Sequence, residues 1–305
     1  MQLVEPCYPA PRMSRRKRWL VVAGFLLLGW LGSSAFVLHA LRSRARPRYA
    51  EPVPETLAGR VEELRLATRD GEDVGAWFLD ATRDEAPTVI ELHGKGGARA
   101  VRLGAAGVVR ERGCAVLLVT LRGHGDSSGD TEDFGWSARQ DVVAAVDWVD
   151  ARRPGRKVLV HGASLGAAAA VFAARELGAR VQGYALECLY ADLESAAHTR
   201  CSQHLPPILD DVAWNGLRLV ARVTWPDFSR IAPVECIASI PREARLLLLA
   251  GGADELASRA ETEALFARVS DRAWLVVVAG AAHDRLQSAD PGAYREAILG
   301  WLDGG

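Results

Sequence analysis

Residues 158–170 read VLVHGASLGAAAA, a short apolar run, then a serine between two glycines, then a stretch rich in alanine. An unbroken apolar run of this length suits a strand buried on both faces, and the alanines suit a helix packed close against it. The link between the two is only a few residues long, so the chain must turn sharply around Ser164. Side chains flanking such a turn would collide with the strand and the helix, and glycines at 162 and 166 remove them. A strand that feeds straight into a helix is the repeating unit of a mostly parallel sheet covered by helices.

The alternation runs through most of the chain. Strands are predicted over 61–67, 73–79, 87–92, 114–120, 157–161, 181–186, 245–250 and 273–279, and helices over 98–112, 137–152, 164–177, 257–269 and 291–302. In 137–152, Val142, Val143, Val146 and Val149 recur at helical spacing, and Ser137 is placed to cap the start. The fold class is therefore α/β, with a mostly parallel central sheet and helices on both faces. Residues 188–240 break the rhythm, separating two strands by far more than a connection needs and holding Pro206, Pro207, Trp214, Trp225 and Pro226. Their tryptophans and the apolar NGLRLVARV argue against a solvated excursion, so 188–240 is read as a small helical cap inserted in a domain spanning 57–305.

Three segments precede that domain: a basic tail at 1–18, an apolar span at 19–41 and a basic, proline-punctuated linker at 42–56. The span is 23 residues without acid or amine, long enough to cross a bilayer, and it is apolar on every face with arginines on both sides. It is read as a single-pass signal anchor, the alternative being a signal peptide cleaved near Ser33, Ser34 and Ala35 and an exported domain. Five basic residues before the span face four after it, which leaves the orientation open. Segment 1–48 holds nine basic residues and one acid, a net of +8, and 49–305 holds 28 basic and 37 acidic residues, a net of −9. No nucleic-acid partner is expected for a domain so acidic, whereas the basic flanks suit anionic lipid headgroups. The cysteines, at 7, 114, 188, 201 and 236, contain no C-x-x-C pair and suggest no zinc site. A disulfide among Cys188, Cys201 and Cys236 stays open.

A serine hydroxyl needs a base to act as a nucleophile. Of seven histidines, His283 falls in a short loop after the last predicted strand, where it can lean over the same sheet edge as Ser164. Asp254, just past the strand 245–250, is the preferred acid to orient it, with Glu187 and Asp192 as competitors and Asp284 too close in sequence to reach the ring. Acyl transfer also needs oxyanion donors. The N–H of Leu165, next to the nucleophile, is one candidate, and the N–H of Lys95 in the glycine-rich ELHGKGG loop is the other; the Lys95 side chain is expected in solvent. The spacing for a nucleotide-phosphate loop is absent, and no cofactor is called for.

The motifs HGKGG at 93–97, RGHGDSSG at 122–129, GASLG at 162–166, GGAD at 251–254 and GAAH at 280–283 occur in an order and spacing that resemble the α/β-hydrolase superfamily across residues 60–302. The chain is most similar to its Bem46 and alpha/beta-hydrolase-domain branch of small, often membrane-anchored serine hydrolases. The resemblance implies Ser164, Asp254 and His283 as a triad, and a structural part for Arg122, Asp126 and Ser127. Lys95 stands where relatives often carry a smaller or polar residue. The expected activity is carboxylic ester hydrolysis on an acyl-ester or lipid-like substrate such as a lysophospholipid. A peptidase of the same fold and a catalytically silent binding module are the alternatives, while a serine at 164 excludes the carboxylate nucleophile of dehalogenases and epoxide hydrolases.

Overall fold

The structure is a computed structural model that describes residues 13–44 and 46–304. Residues 1–12 of the basic tail, with Cys7, lie outside the described residues. An eight-stranded sheet runs through the centre, with strands β1 (Glu62–Ala67), β2 (Asp73–Leu79), β3 (Thr88–Leu92), β4 (Ala115–Val119), β5 (Val158–Ala163), β6 (Gly183–Glu187), β7 (Arg245–Gly251) and β8 (Ala273–Val278). Their order across the sheet is β1-β2-β4-β3-β5-β6-β7-β8. The β1–β2 and β2–β4 pairs are antiparallel and all the others are parallel.

The helices are α1 (Arg15–Arg42), α2 (Leu103–Arg110), α3 (Arg139–Arg152), α4 (Leu165–Leu177), α5 (Leu193–His204), α6 (Leu209–Thr224), α7 (Pro233–Cys236), α8 (Arg259–Ala267), α9 (Leu286–Ala289) and α10 (Pro291–Asp303). Successive strand residues point to opposite faces, and the core splits accordingly. Ile90, Leu117 and Val160 pack with α3 and α4 on one face, whereas Val89, Leu118 and Leu159 pack with α2 and α10 on the other. Alanines on α4 let its backbone lie close to the sheet, and Ala167 to Ala170 are fully buried. Helix α3 does not start on a Ser137 cap: Asp133 accepts from the Ser137 N–H and hydroxyl, and the helix begins after Ala138.

Between β6 and β7 the chain forms α5, α6, α7 and short 3-10 turns, so the insertion is helical. It also holds α1. Trp30 Nε1 donates to the Val212 carbonyl over 2.9 Å, and Gly216 lets α1 approach, since a Cβ there would meet Ser34 Oγ at 2.3 Å. Close approach at a small residue is a common way for apolar helices to pair. Upstream of this contact Trp19, Phe25, Leu26 and Leu28 are largely exposed, and α1 is long and apolar enough to cross a membrane.

The segment after α1 is not a free tether. Ser43 bridges to Thr131, Arg44 donates to the carbonyls of Ser127 and Gly129, and the Tyr49 N–H donates to the Gly125 carbonyl. Glu51 is buried, accepting from Thr120 at 2.9 Å and from Arg99 at 3.3 Å.

Candidate active site

Ser164 stands between β5 and α4 with φ 48° and ψ −105°, a conformation that L residues avoid. Strain of this kind persists only where the surroundings fix it. Its N–H donates to the Glu187 carbonyl over 2.8 Å, and the glycines around it leave room for nothing else. A Cβ on Gly162 would sit 2.6 Å from the Ala167 nitrogen, and one on Gly166 would sit 2.6 Å from Leu92 Cβ and 2.8 Å from the His93 carbonyl oxygen. The turn therefore lifts the hydroxyl off the end of the sheet at the start of a helix, where unpaired N–H groups favour negative charge.

Three residues separated widely in sequence converge there. His283 Nε2 lies 2.9 Å from Ser164 Oγ, and His283 Nδ1 lies 2.8 Å from Asp254 Oδ2. The other Asp254 oxygen accepts from the N–H groups of Leu256 and Ala257 at 2.8 and 2.9 Å. Burial works to raise the Asp254 pKa, but His283 and these N–H groups outweigh it and hold the carboxyl below its ordinary range. An ionised Asp254 fixes the proton on His283 Nδ1 and leaves Nε2 free to accept from the serine. Asp254 is buried and His283 is part-exposed, so the imidazole faces the cleft while the carboxylate is shielded from water.

The other acids are engaged elsewhere. Glu187 is clamped by Arg102 at 3.1 Å, His161 at 2.5 Å and the Tyr294 hydroxyl at 2.7 Å, and despite burial these hold its carboxyl well below the usual range. Asp192 caps α5 by accepting from the Ser195 N–H over 2.7 Å, and Asp284 is exposed beside Arg285. Arg122 pairs with Asp141 and Asp70, Asp126 pairs with Arg99, and the Ser127 hydroxyl donates to the Thr120 carbonyl, so this loop is a scaffold.

The glycine-rich loop after β3 rims the same cleft. Its Gly97 N–H donates to the Gly94 carbonyl and its Gly96 N–H to His124 Nε2, whereas the Lys95 N–H meets no acceptor among the described residues. The Leu165 N–H is the first of α4 and lacks an in-helix acceptor. The Lys95 side chain is partly exposed, but its amine is not free in solvent. Its Nζ donates to Glu132 Oε2 at 2.5 Å and to the Leu41 carbonyl at 2.9 Å, and it stands 5.0 Å from the Phe134 ring centre. Glu132 is a buried carboxylate that needs a cation, which draws the amine inward.

Several supporting residues carry a weaker sequence signal. His93 and His124 stand beside glycines in two of the motifs, yet nothing local shows that they brace the loop. His93 Nε2 accepts from the Leu121 N–H at 3.0 Å, and its other nitrogen bonds the Gly94 carbonyl. Burial and neighbouring His124 push the His93 pKa down to about 3. Cys188, at φ 48°, lies with its thiol within 4.8 Å of the Asp254 and His283 side-chain atoms, and burial with that carboxylate pushes the thiol pKa up. It is therefore packed behind the acid, and all four described cysteines are free thiols.

The cleft over Ser164 and His283 has a volume of about 590 Å³ and is also lined by Lys95, Arg200, Leu256 and Gln287. That size suits a small organic ligand. A strand, a strained serine and a helix, with a histidine and an acid delivered from later strand ends, define a class. The chain belongs to the Alpha/beta hydrolase family, which it matches over residues 92–297, and it is a hydrolase related to that family's ABHD branch. It is 29% identical over 297 residues to the Mycobacterium tuberculosis protein Rv2307c, covering 94% of this chain and 96% of that one. It is 33% identical over 103 residues to the lysophosphatidylserine lipase ABHD12 of Gallus gallus, covering 33% of this chain and 26% of that protein. The Pyrococcus furiosus esterase Pf2001 shares the fold, with a TM-score of 0.70 at 22% identity over 84% of this chain and 96% of the esterase.

Proposed function

We propose that the protein is a membrane-anchored serine hydrolase that cleaves carboxylic esters of lipid-like substrates, with Ser164, His283 and Asp254 as its triad. The observation that carries this reading is the relay of 2.9 and 2.8 Å from a serine in strained conformation through His283 to a carboxylate held below its ordinary pKa. In the proposed reaction His283 Nε2 takes the Ser164 proton as the oxygen's electron pair attacks the ester carbonyl. The N–H groups of Leu165 and Lys95 receive the oxyanion. Collapse breaks the bond to the alkoxide, which leaves with the proton from His283, and water repeats the sequence on the acyl-enzyme. Asp254 keeps the imidazole in the required tautomer throughout.

The lipid-like substrate is inferred from the apolar α1, which would hold the cleft beside a bilayer as a single-pass anchor, and from the matched segment of a lysophosphatidylserine lipase. The test is labelling of the full chain in neutral detergent with a fluorophosphonate, alongside turnover of p-nitrophenyl butyrate. Ser164→Ala should lose labelling, and Ser164→Ala and His283→Ala should each lose at least ~10³-fold in kcat. A folded wild-type chain that neither labels nor turns over the ester would overturn the reading.

A further inference from the structure

A second cavity adjoins the catalytic cleft. It has a volume of about 470 Å³, lies between α1 and the inserted helices α5 and α6, and is walled mainly by apolar groups, among them Trp30, Val37, Leu41, Phe134 and Leu217. Two features join it to the cleft. Arg200 on α5 borders both spaces, and Lys95 of the cleft donates to the carbonyl of Leu41 and lies against Phe134, both of which line the second space. On its outer side Val37 of α1 and Leu209 and Val212 of α6 are exposed at 42, 55 and 48%, so it opens where α1 would meet lipid.

Arg200 is the unusual group at this junction. Its guanidinium donates to the Ala196 carbonyl at 2.9 Å and makes no ion pair within 4.0 Å among the described residues. Glu261 and Asp254 are near enough to act on it, yet burial prevails and lowers its pKa. An arginine held partly out of water without a carboxylate is suited to an anion brought by a ligand, and guanidinium matches phosphate in two-pronged geometry.

We infer that the cavity between α1 and the insertion receives the acyl chain of a single-chain anionic phospholipid, with Arg200 pairing to its phosphate and the anchor helix forming one wall of the substrate site. This rests on the hydrolase reading for its chemistry, but the cavity itself can bind without turnover. The chain would enter sideways from the bilayer, lie on apolar side chains and leave its ester at Ser164 in the polar cleft. A neutral lipid of equal length would fill the cavity and leave Arg200 unpaired.

The experiment uses the full chain in neutral detergent micelles. For Ala213→Trp on α6 and Ala197→Phe on α5, two bulky substitutions from different walls, the ratio of kcat/KM for 1-palmitoyl-lysophosphatidylglycerol to that for p-nitrophenyl acetate is expected to fall at least tenfold. For Arg200→Gln, kcat/KM for the lysophospholipid is expected to fall at least tenfold relative to neutral monopalmitoylglycerol, mainly through KM, with partial recovery in Arg200→Lys. Binding of a non-hydrolysable hexadecyl ether of lysophosphatidylglycerol, measured in the Ser164→Ala background, should weaken at least tenfold in the two filled variants. Short-ester turnover with both ratios and ether binding unchanged would overturn the cavity and leave the hydrolase reading standing. Ether binding that is lost on filling, in a chain that hydrolyses no ester, would support the cavity and sink the hydrolase reading.

Discussion

Ser164 holds its unusual backbone angles because neighbouring atoms forbid the alternatives, and that makes Gly166 a sensitive position. A methyl group there would press on Leu92 Cβ and the His93 carbonyl, neither of which can swing aside because one is fixed to the backbone of the inner strand β3 and the other is backbone directly after it. Gly166→Ala is expected to cost roughly 1–3 kcal/mol by overpacking and to move the serine off line with His283. The readouts are a lower melting temperature and a fall in kcat larger than any change in KM. His93 makes a second prediction at this scale. Its native pKa is pushed down to about 3 whereas an unfolded histidine titrates near 6.5, so between those values the unfolded chain binds a proton that the native ring refuses. Stability should therefore fall as pH drops through that window, and buried His124, whose pKa is also lowered, adds in the same direction. Melting at pH 7 and pH 5 checks it: His93→Gln, which cannot titrate, should show a smaller loss than wild type, and an equal loss would refute the assignment.

At the scale of elements, the glycine-rich loop is tied to the end of α1. Lys95 neutralises Glu132, whose side chain is 1% exposed, while its own is 31% exposed. Lys95→Met would strand a buried carboxylate at a cost of about 2–4 kcal/mol, below the range for a fully buried pair because the amine is partly in water. It would also free the loop that carries the proposed oxyanion donor, so kcat should drop more than KM rises. Adding Glu132→Gln should restore most of the stability, and a double-mutant cycle with no coupling would refute the pairing. The same contact shows where sequence reading stops. The inner strands β2 to β7 are legible because each is a short, mainly apolar run buried on both faces, a local property of its own residues, whereas the edge strands β1 and β8 are largely exposed or half-buried. The helical nature of 188–240 is legible from its apolar content and tryptophans. By contrast, Arg44 contacts carbonyls more than 80 positions away and Glu51 meets Arg99 48 positions away, so residues 42–56 look like a tether until the fold brings those partners together. Lys95 looks solvated for the same reason, since an isolated lysine in a glycine loop carries no sign of Glu132. Among the three acids near strand ends the sequence favours Asp254 by its place after the strand 245–250, and the fold separates the others from it, with His283 Nδ1 2.8 Å from Asp254 and Glu187 held by Arg102 and His161.

For the whole molecule, α1 is part of the domain as well as a candidate membrane span. Its first half is bare and apolar, while its second half covers Gly216 on α6, and Trp30 donates to the carbonyl of Val212. Helix α6 carries further exposed apolar groups, with Leu219 and Val223 at 49 and 77%. Removal of residues 1–42 would join these to the face that α1 now covers and create a larger apolar patch of the kind that drives association. It would also take the Leu41 carbonyl from Lys95 and the Arg42 carbonyl from the Glu132 N–H, loosening the loop beside Ser164. A chain of residues 43–305 is therefore expected to self-associate on size exclusion in the absence of detergent. Once dispersed in detergent, it should turn over p-nitrophenyl butyrate with a lower kcat than the full chain. Simple anchoring predicts the opposite, because a helix that only tethers the enzyme has no influence on a soluble ester. A truncated chain that runs as a monomer without detergent and matches full-length kcat would reduce α1 to a tether and remove the proposed mechanical link between α1 and the glycine-rich loop.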